Sequence, residues 1–168
     1  MILKSNRIGW LVILCVFFSA CGVYSFTGAA IEGKTINVHY IENAARNVVP
    51  TLSPTLTEKI RQRILSQSSL TQLNNDNADY DLSGSITGYD VTVAAIAGNE
   101  TSSKNRLTIT ISVQFKNRKN EKTNFVQSFT RFRDFGADQN IQSIELGLIT
   151  DISGELADDI FNKAFVNW

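Results

Sequence analysis

One histidine, two cysteines and a short run of lysine and arginine are the side chains of this 168-residue chain from which site chemistry would come. His39 sits inside an alternating segment, opposite in parity to Val38 and Tyr40, which reads as a solvent-facing strand residue rather than a general base. A single histidine also rules out a metal site built on two imidazoles. The carboxylates are spread over polar faces rather than paired, and there is neither a glycine-rich phosphate loop nor a serine-nucleophile motif. No enzymatic activity, catalytic residue, metal or other cofactor is expected. What remains is basic: Lys116, Arg118, Lys119 and Lys122 fall close together beside Glu121, with Lys104 and Arg106 at the start of the same segment. Clustered Lys and Arg grip phosphate groups. They also keep turns soluble, and both readings stand.

Cys21 carries a different chemistry. Lys4 and Arg7 precede an apolar run over residues 8–18, which is far short of the roughly 20 residues a membrane span needs and has the form of an export signal. Ser19 and Ala20 followed by Cys21 resemble the bacterial lipobox, in which the cysteine sulfur receives a diacylglycerol and the residue becomes the acylated N-terminus after cleavage. The alternative is an ordinary signal peptide that ends at a cysteine. At about 0.8 kcal/mol per buried methylene, a triacylated Cys21 is a permanent anchor to the membrane lipid. Residues 1–20 are thus expected as a signal, 21–34 as a lipidated tether and 35–168 as one α/β domain.

Removing the first 20 of 168 residues leaves 148, the usual size of one domain with its own core. Lys4 and Arg7 leave with the signal, so 14 basic side chains face 16 acidic ones, and a formal charge of −2 argues against a nucleic-acid partner. Cys15 leaves too, so with Cys21 acylated neither a disulfide nor a cysteine metal site is available. A lipid-anchored protein works against a surface rich in phosphorylated lipid, which favours the phosphate reading of the basic cluster.

The elements that must position these groups follow from periodicity. Ile36, Val38 and Tyr40 share one face of a half-buried strand. Val48-Val49-Pro50 is extended before its proline, and Ser53-Pro54 supplies an N-cap and first-turn proline for a helix whose apolar stripe is Leu56, Ile60 and Ile64. Leu82 and Ile86 face opposite in parity to Tyr89, Val91 and Val93, so a bulge at Gly88 is predicted. After a loop over residues 98–103, Leu107, Ile109, Ile111, Val113 and Phe115 alternate without a fault, and the basic turn leads into a fourth strand over residues 125–135. A helix over about residues 143–165 closes the chain, with Leu148, Ile149, Ile152, Leu156, Ile160 and Ala164 as its apolar face. The fold class is α+β: a single four-stranded mixed sheet with two helices packed on one face, in the order β-α-β-β-β-α.

At about 100° per residue, Phe161, Phe165 and Trp168 form a second stripe turned roughly 100 to 160° from the first. Either a sheet edge or loop wraps these last turns, or the three aromatics dock on a partner.

Several stretches together resemble the lipopolysaccharide-assembly lipoprotein family LptE, in the form typical of Bacteroidetes. They are Cys21-Gly22-Val23-Tyr24-Ser25-Phe26-Thr27-Gly28, Asn47-Val48-Val49-Pro50-Thr51-Leu52-Ser53, Gly84-Ser85-Ile86-Thr87-Gly88-Tyr89, Gly98-Asn99-Glu100-Thr101 with Asn105-Arg106-Leu107-Thr108-Ile109-Thr110, and Asp159-Ile160-Phe161-Asn162-Lys163 with Asn167-Trp168. The resemblance implies four strands and two helices, and an outer-membrane lipoprotein facing the periplasm that sits inside, and helps assemble, the β-barrel translocon LptD while contacting lipopolysaccharide. Local charge then nominates Lys104, Arg106, Lys116, Arg118, Lys119 and Lys122 for lipopolysaccharide, and Phe161, Phe165 and Trp168 for the barrel. The competing class is a non-catalytic structural or chaperone lipoprotein of another envelope complex, such as a secretin; an anchored hydrolase lacks catalytic groups.

Overall fold

A computed structural model describes residues 31–94 and 103–166. Residues 1–20 expected as a signal, Cys21, the run Gly98-Asn99-Glu100-Thr101 and Trp168 lie outside the described residues. The elements are β1 (Thr35–Val38), β2 (Glu42–Asn43), α1 (Leu52–Gln67), β3 (Thr71–Gln72), β4 (Tyr80–Ala94), β5 (Lys104–Asn117), a 3-10 turn (Glu121–Thr123), β6 (Phe125–Gly136) and α2 (Ile141–Phe165).

The described strands form one six-stranded mixed sheet ordered β3-β1-β4-β5-β6, with β2 paired to β4 farther along that strand. β1 is parallel to β3 and β4, and β2 is parallel to β4, whereas β4, β5 and β6 are antiparallel. The expected four-stranded sheet in the order β-α-β-β-β-α is therefore corrected. The added strands are two residues each, too short for a side-chain period, and are built from backbone pairs such as Ala44 N–H to Ile86 O at 2.9 Å and Leu73 N–H to Ile36 O at 2.8 Å. β1 also ends at Val38, so Tyr40 leaves the core face and is 58 % exposed.

β5 is the centre of the core. Leu107, Ile109, Ile111, Val113 and Phe115 are all fully buried. The register of the β4 partner strand shifts between Ile86 and Gly88, with Thr87 as the extra residue, which brings Tyr89 to the buried face with Leu82 and Ile86, while Val91 and Val93 beyond it are exposed. Leu52, Leu56, Ile60 and Ile64 of α1, and Ile149, Ile152, Leu156 and Ile160 of α2, close this face. The helix α1 begins two residues earlier than a cap at Ser53 predicts. Thr51 occupies the N-cap without a side-chain cap, and Ser53 is buried, its carbonyl accepting from Thr57 Oγ1 at 2.7 Å. Thr57 Oγ1 in turn accepts from Ile41 N–H at 3.0 Å, so this buried hydroxyl ties the helix to the chain between β1 and β2. The other sheet face carries mainly polar side chains, with Val126 and Phe132 exposed among them, and no helix among the described residues lies over it.

Candidate ligand-contacting surface

The basic turn between β5 and β6 is held by asparagines. Asn117, buried at the end of β5, accepts from Lys119 N–H at 2.8 Å and Asn120 N–H at 3.1 Å through Oδ1, and donates from Nδ2 to Thr123 Oγ1 at 3.0 Å. Asn124 Oδ1 accepts from Asn117 N–H at 2.6 Å, and Asn120 Oδ1 from Lys122 N–H at 3.2 Å. Short amide side chains that satisfy their own turn's backbone replace the ladder where the strands end. The sequence signal was the spacing of Asn117, Asn120 and Asn124 among the lysines, where charge alone had drawn attention.

This turn is fastened to the start of β4. Arg118 N–H donates to Asp79 O at 3.0 Å, and Lys119 Nζ lies 3.1 Å from Asp79 Oδ1. Asp79 Oδ2 accepts from Lys34 N–H at 2.8 Å, from Thr35 N–H at 3.2 Å and from Thr35 Oγ1 at 3.2 Å. Those donors, the Lys34 amide foremost and Lys119 next, hold the Asp79 carboxyl down at about 2. Lys119 thus has an internal carboxylate partner. Lys116, Arg118 and Lys122 have no ion pair among the described residues, and all three are exposed.

The other two nominated cations are not part of this group. Arg106 and Lys116 lie ten residues apart on one strand, roughly 33 Å at about 3.3 Å per residue. Arg106 Nε and Nη2 donate to Asp134 Oδ1 and Oδ2 at 2.6 and 2.9 Å, and its guanidinium stacks 3.8 Å from the centre of the Phe132 ring. The Arg106 hydrogen bonds first, and the charges of Arg106 and Lys104 after burial, set the Asp134 carboxyl, whose net shift is downward. The six residues nominated by charge therefore form two groups at opposite ends of β5.

Phe161 and Phe165 are 6 % and 2 % exposed. The Phe165 ring meets Tyr80 and Phe115 edge-on, each at 5.4 Å between centroids, and Phe161 lies 5.5 Å from Phe165. α2 buries more than one stripe because it touches two neighbours. Its aromatics reach the sheet, while Gly154, Ala157 and Asp158 line a groove against α1, where Arg63 Nε sits 2.8 Å from Asp158 Oδ1. The exposed aromatic patch expected at Phe161 and Phe165 is absent; both rings are core.

His39 lies on the open sheet face, its Nε2 2.8 Å from Asp81 Oδ2 and 3.1 Å from Asn37 Nδ2. Among the described residues the hydrogen-bond partners of this ring are Asn37 and Asp81 alone, neither of them a nucleophile of the serine or cysteine kind. No grouping of His, Cys, Asp and Glu able to hold a metal ion occurs among the described residues, nor any helix long and apolar enough to cross a membrane.

A comparison with curated proteins finds no match. Among solved structures, a minor lipoprotein from Acinetobacter baumannii superposes with a TM-score of 0.51 at 18 % identity, over 77 % of this chain and 91 % of that one. A neuraminyllactose-binding hemagglutinin homologue from Helicobacter pylori gives 0.51 at 9 % identity, over 82 % and 88 %. What these share with this chain is the fold. Residues 33–164 match the lipopolysaccharide-assembly family LptE, a span that runs from the residue before Lys34 and its Asp79 partner through the whole sheet to Ala164 near the end of α2. With nearly the whole described domain inside that match, the chain belongs to the LptE family, whose members act without catalysis in lipopolysaccharide transport and assembly at the outer membrane.

Proposed function

We propose that this LptE protein is held in the inner leaflet of the outer membrane by an acylated Cys21, faces the periplasm, assists assembly of an LptD-like β-barrel, and meets lipopolysaccharide phosphates through the β5–β6 turn. The match over residues 33–164 carries this reading, since the family works with such a barrel and with lipopolysaccharide. Lys116, Arg118 and Lys122 support the phosphate contact: they are exposed, without an internal ion pair among the described residues, and mounted on an asparagine-braced turn. Lys119 adds positive potential there while bound to Asp79. Gly22 after the cysteine, in place of the aspartate that holds many lipoproteins at the inner membrane, supports the outer-membrane destination. The motif over residues 84–89 and the run over residues 98–101 support placing the chain with the Bacteroidetes form of the family.

Depletion of the protein tests the function. LptD is expected to become misassembled and lipopolysaccharide to stall short of the surface; normal surface lipopolysaccharide after depletion would reject it. The anchor is tested separately by Cys21→Ser, which should leave uncleaved or soluble protein, and normal mature protein in membrane fractions would contradict it.

A further inference from the structure

Where β1 ends, the chain opens a cleft of about 560 Å³ between the β1 edge, α1 and the turn that follows β3. Its walls carry Asn37, His39, Tyr40, Arg61, Asn74 and Asn75, with Asp76 at the turn. This is a wall of planar polar groups. Asn74 Oδ1 accepts from Gln72 Nε2 at 2.8 Å and Asn75 Oδ1 from Asn77 N–H at 2.9 Å, which fixes the two amides while leaving their NH2 groups as donors. Arg61 donates to Val38 O at 3.4 Å and to Glu58 Oε2 at 3.2 Å, and its Nε is shielded from solvent with no hydrogen-bond partner among the described residues. Tyr40, 58 % exposed, supplies an aromatic face beside these amides.

The charges bear on what fits. Arg61 is offset by Glu58 and by Asp76, and His39 sits against Asp81, so the cleft has no surplus of positive charge with which to take a phosphate. Its polar walls are equally unsuited to an acyl chain. Amide NH2 groups and a guanidinium that donate, and a carboxylate that accepts, beside one exposed ring, match in type the hydroxyls and the C–H face of a sugar. We propose that this cleft binds an uncharged saccharide. Resting on the function proposed above, it takes a sugar of the lipopolysaccharide glycan. The position agrees: Asp81 is the cross-strand partner of Lys116, and His39 N–H donates to Leu82 O, which places the cleft two strands, roughly 10 Å, from the phosphate-contacting end of β5.

The test titrates the full-length protein in detergent with whole lipopolysaccharide, and with the core oligosaccharide and the lipid A that mild acid releases from it. Tyr40→Ala combined with Asn75→Ala, both at exposed positions, should raise the oligosaccharide Kd roughly tenfold and leave the lipid A Kd unchanged, whereas Tyr40→Phe should keep binding within about threefold. An oligosaccharide Kd that the double variant does not move overturns the proposal, as does an equal loss of lipid A binding or displacement of the oligosaccharide by inorganic phosphate. If the protein binds whole lipopolysaccharide but not the oligosaccharide, the saccharide site falls while the wider function stands. If it binds neither, both fall.

Discussion

Asp79 has no counterpart in a charge count, yet it joins three parts of the chain. Its carboxylate takes backbone and side-chain donors from Lys34 and Thr35 at the head of β1, and Lys119 from the basic turn. Because the folded carboxyl titrates at about 2, below the roughly 3.9 of a free aspartate, the unfolded chain takes up the proton first as pH falls. The stability it contributes is therefore complete above about pH 4 and is lost as pH drops from about 4 to 2. Asp79→Asn should melt at a lower temperature than the parent at neutral pH and lose less on going from pH 4 to pH 2. Parallel melting curves across that interval would show that the carboxylate contributes nothing. Phe165 poses the opposite question, since its chemistry is packing alone. Buried against Tyr80 and Phe115, it should cost about 3 to 5 kcal/mol when cut to alanine. Capture of an LptD-like barrel per folded molecule should stay unchanged, and a fall in capture without a fall in stability would return the ring to the interface.

Long elements were legible because their side chains repeat. The alternation of β5, the stripe of α1 and the parity change at Gly88 each follow from what one buried face demands, and the structure places β5, α1 and a bulge there. β2 and β3 were not legible, since two residues held by backbone pairing leave no pattern. The split of the basic cluster was legible from the strand between Arg106 and Lys116, but grouping all six cations by charge set aside the length of that extended strand. β6 shows a further device. It ends the sheet order, and on its core-facing parity, opposite Ile109 and Leu107, stand Arg131 and Arg133 where apolar residues would extend the core. Arg131 reaches Asp159 at 2.6 Å, and Arg133 reaches Glu155, both on α2. Charges turned inward on an edge strand oppose pairing with another chain. Arg131→Leu with Arg133→Leu should thus give concentration-dependent association in sedimentation velocity, while a variant that stays monomeric would leave the two pairs as ordinary surface contacts.

At the scale of the molecule, residues 21–168 carry 14 basic and 16 acidic side chains, which gives no general attraction for an anionic lipid, so any grip on phosphate must come from where the cations sit. β5 separates them into two ends with different internal bonding. At one end Arg106 is tied in a two-point hydrogen bond to Asp134 and stacked on Phe132; at the other, Lys116, Arg118 and Lys122 project from the braced turn. Neutralising the second group, with Lys116→Gln, Arg118→Gln and Lys122→Gln, removes charges that have no internal partner among the described residues, so the domain should keep its melting temperature. Lipopolysaccharide binding should weaken at low salt and lose most of its salt dependence, because exposed charges act over only about 8 Å at physiological ionic strength. Arg106→Gln should do the reverse, leaving salt-dependent binding in place while freeing Asp134 and exposing the Phe132 ring. If the triple variant binds as the parent does at every ionic strength, the turn is a soluble connection; if Arg106→Gln alone abolishes the salt dependence, the contact lies at the far end of the strand.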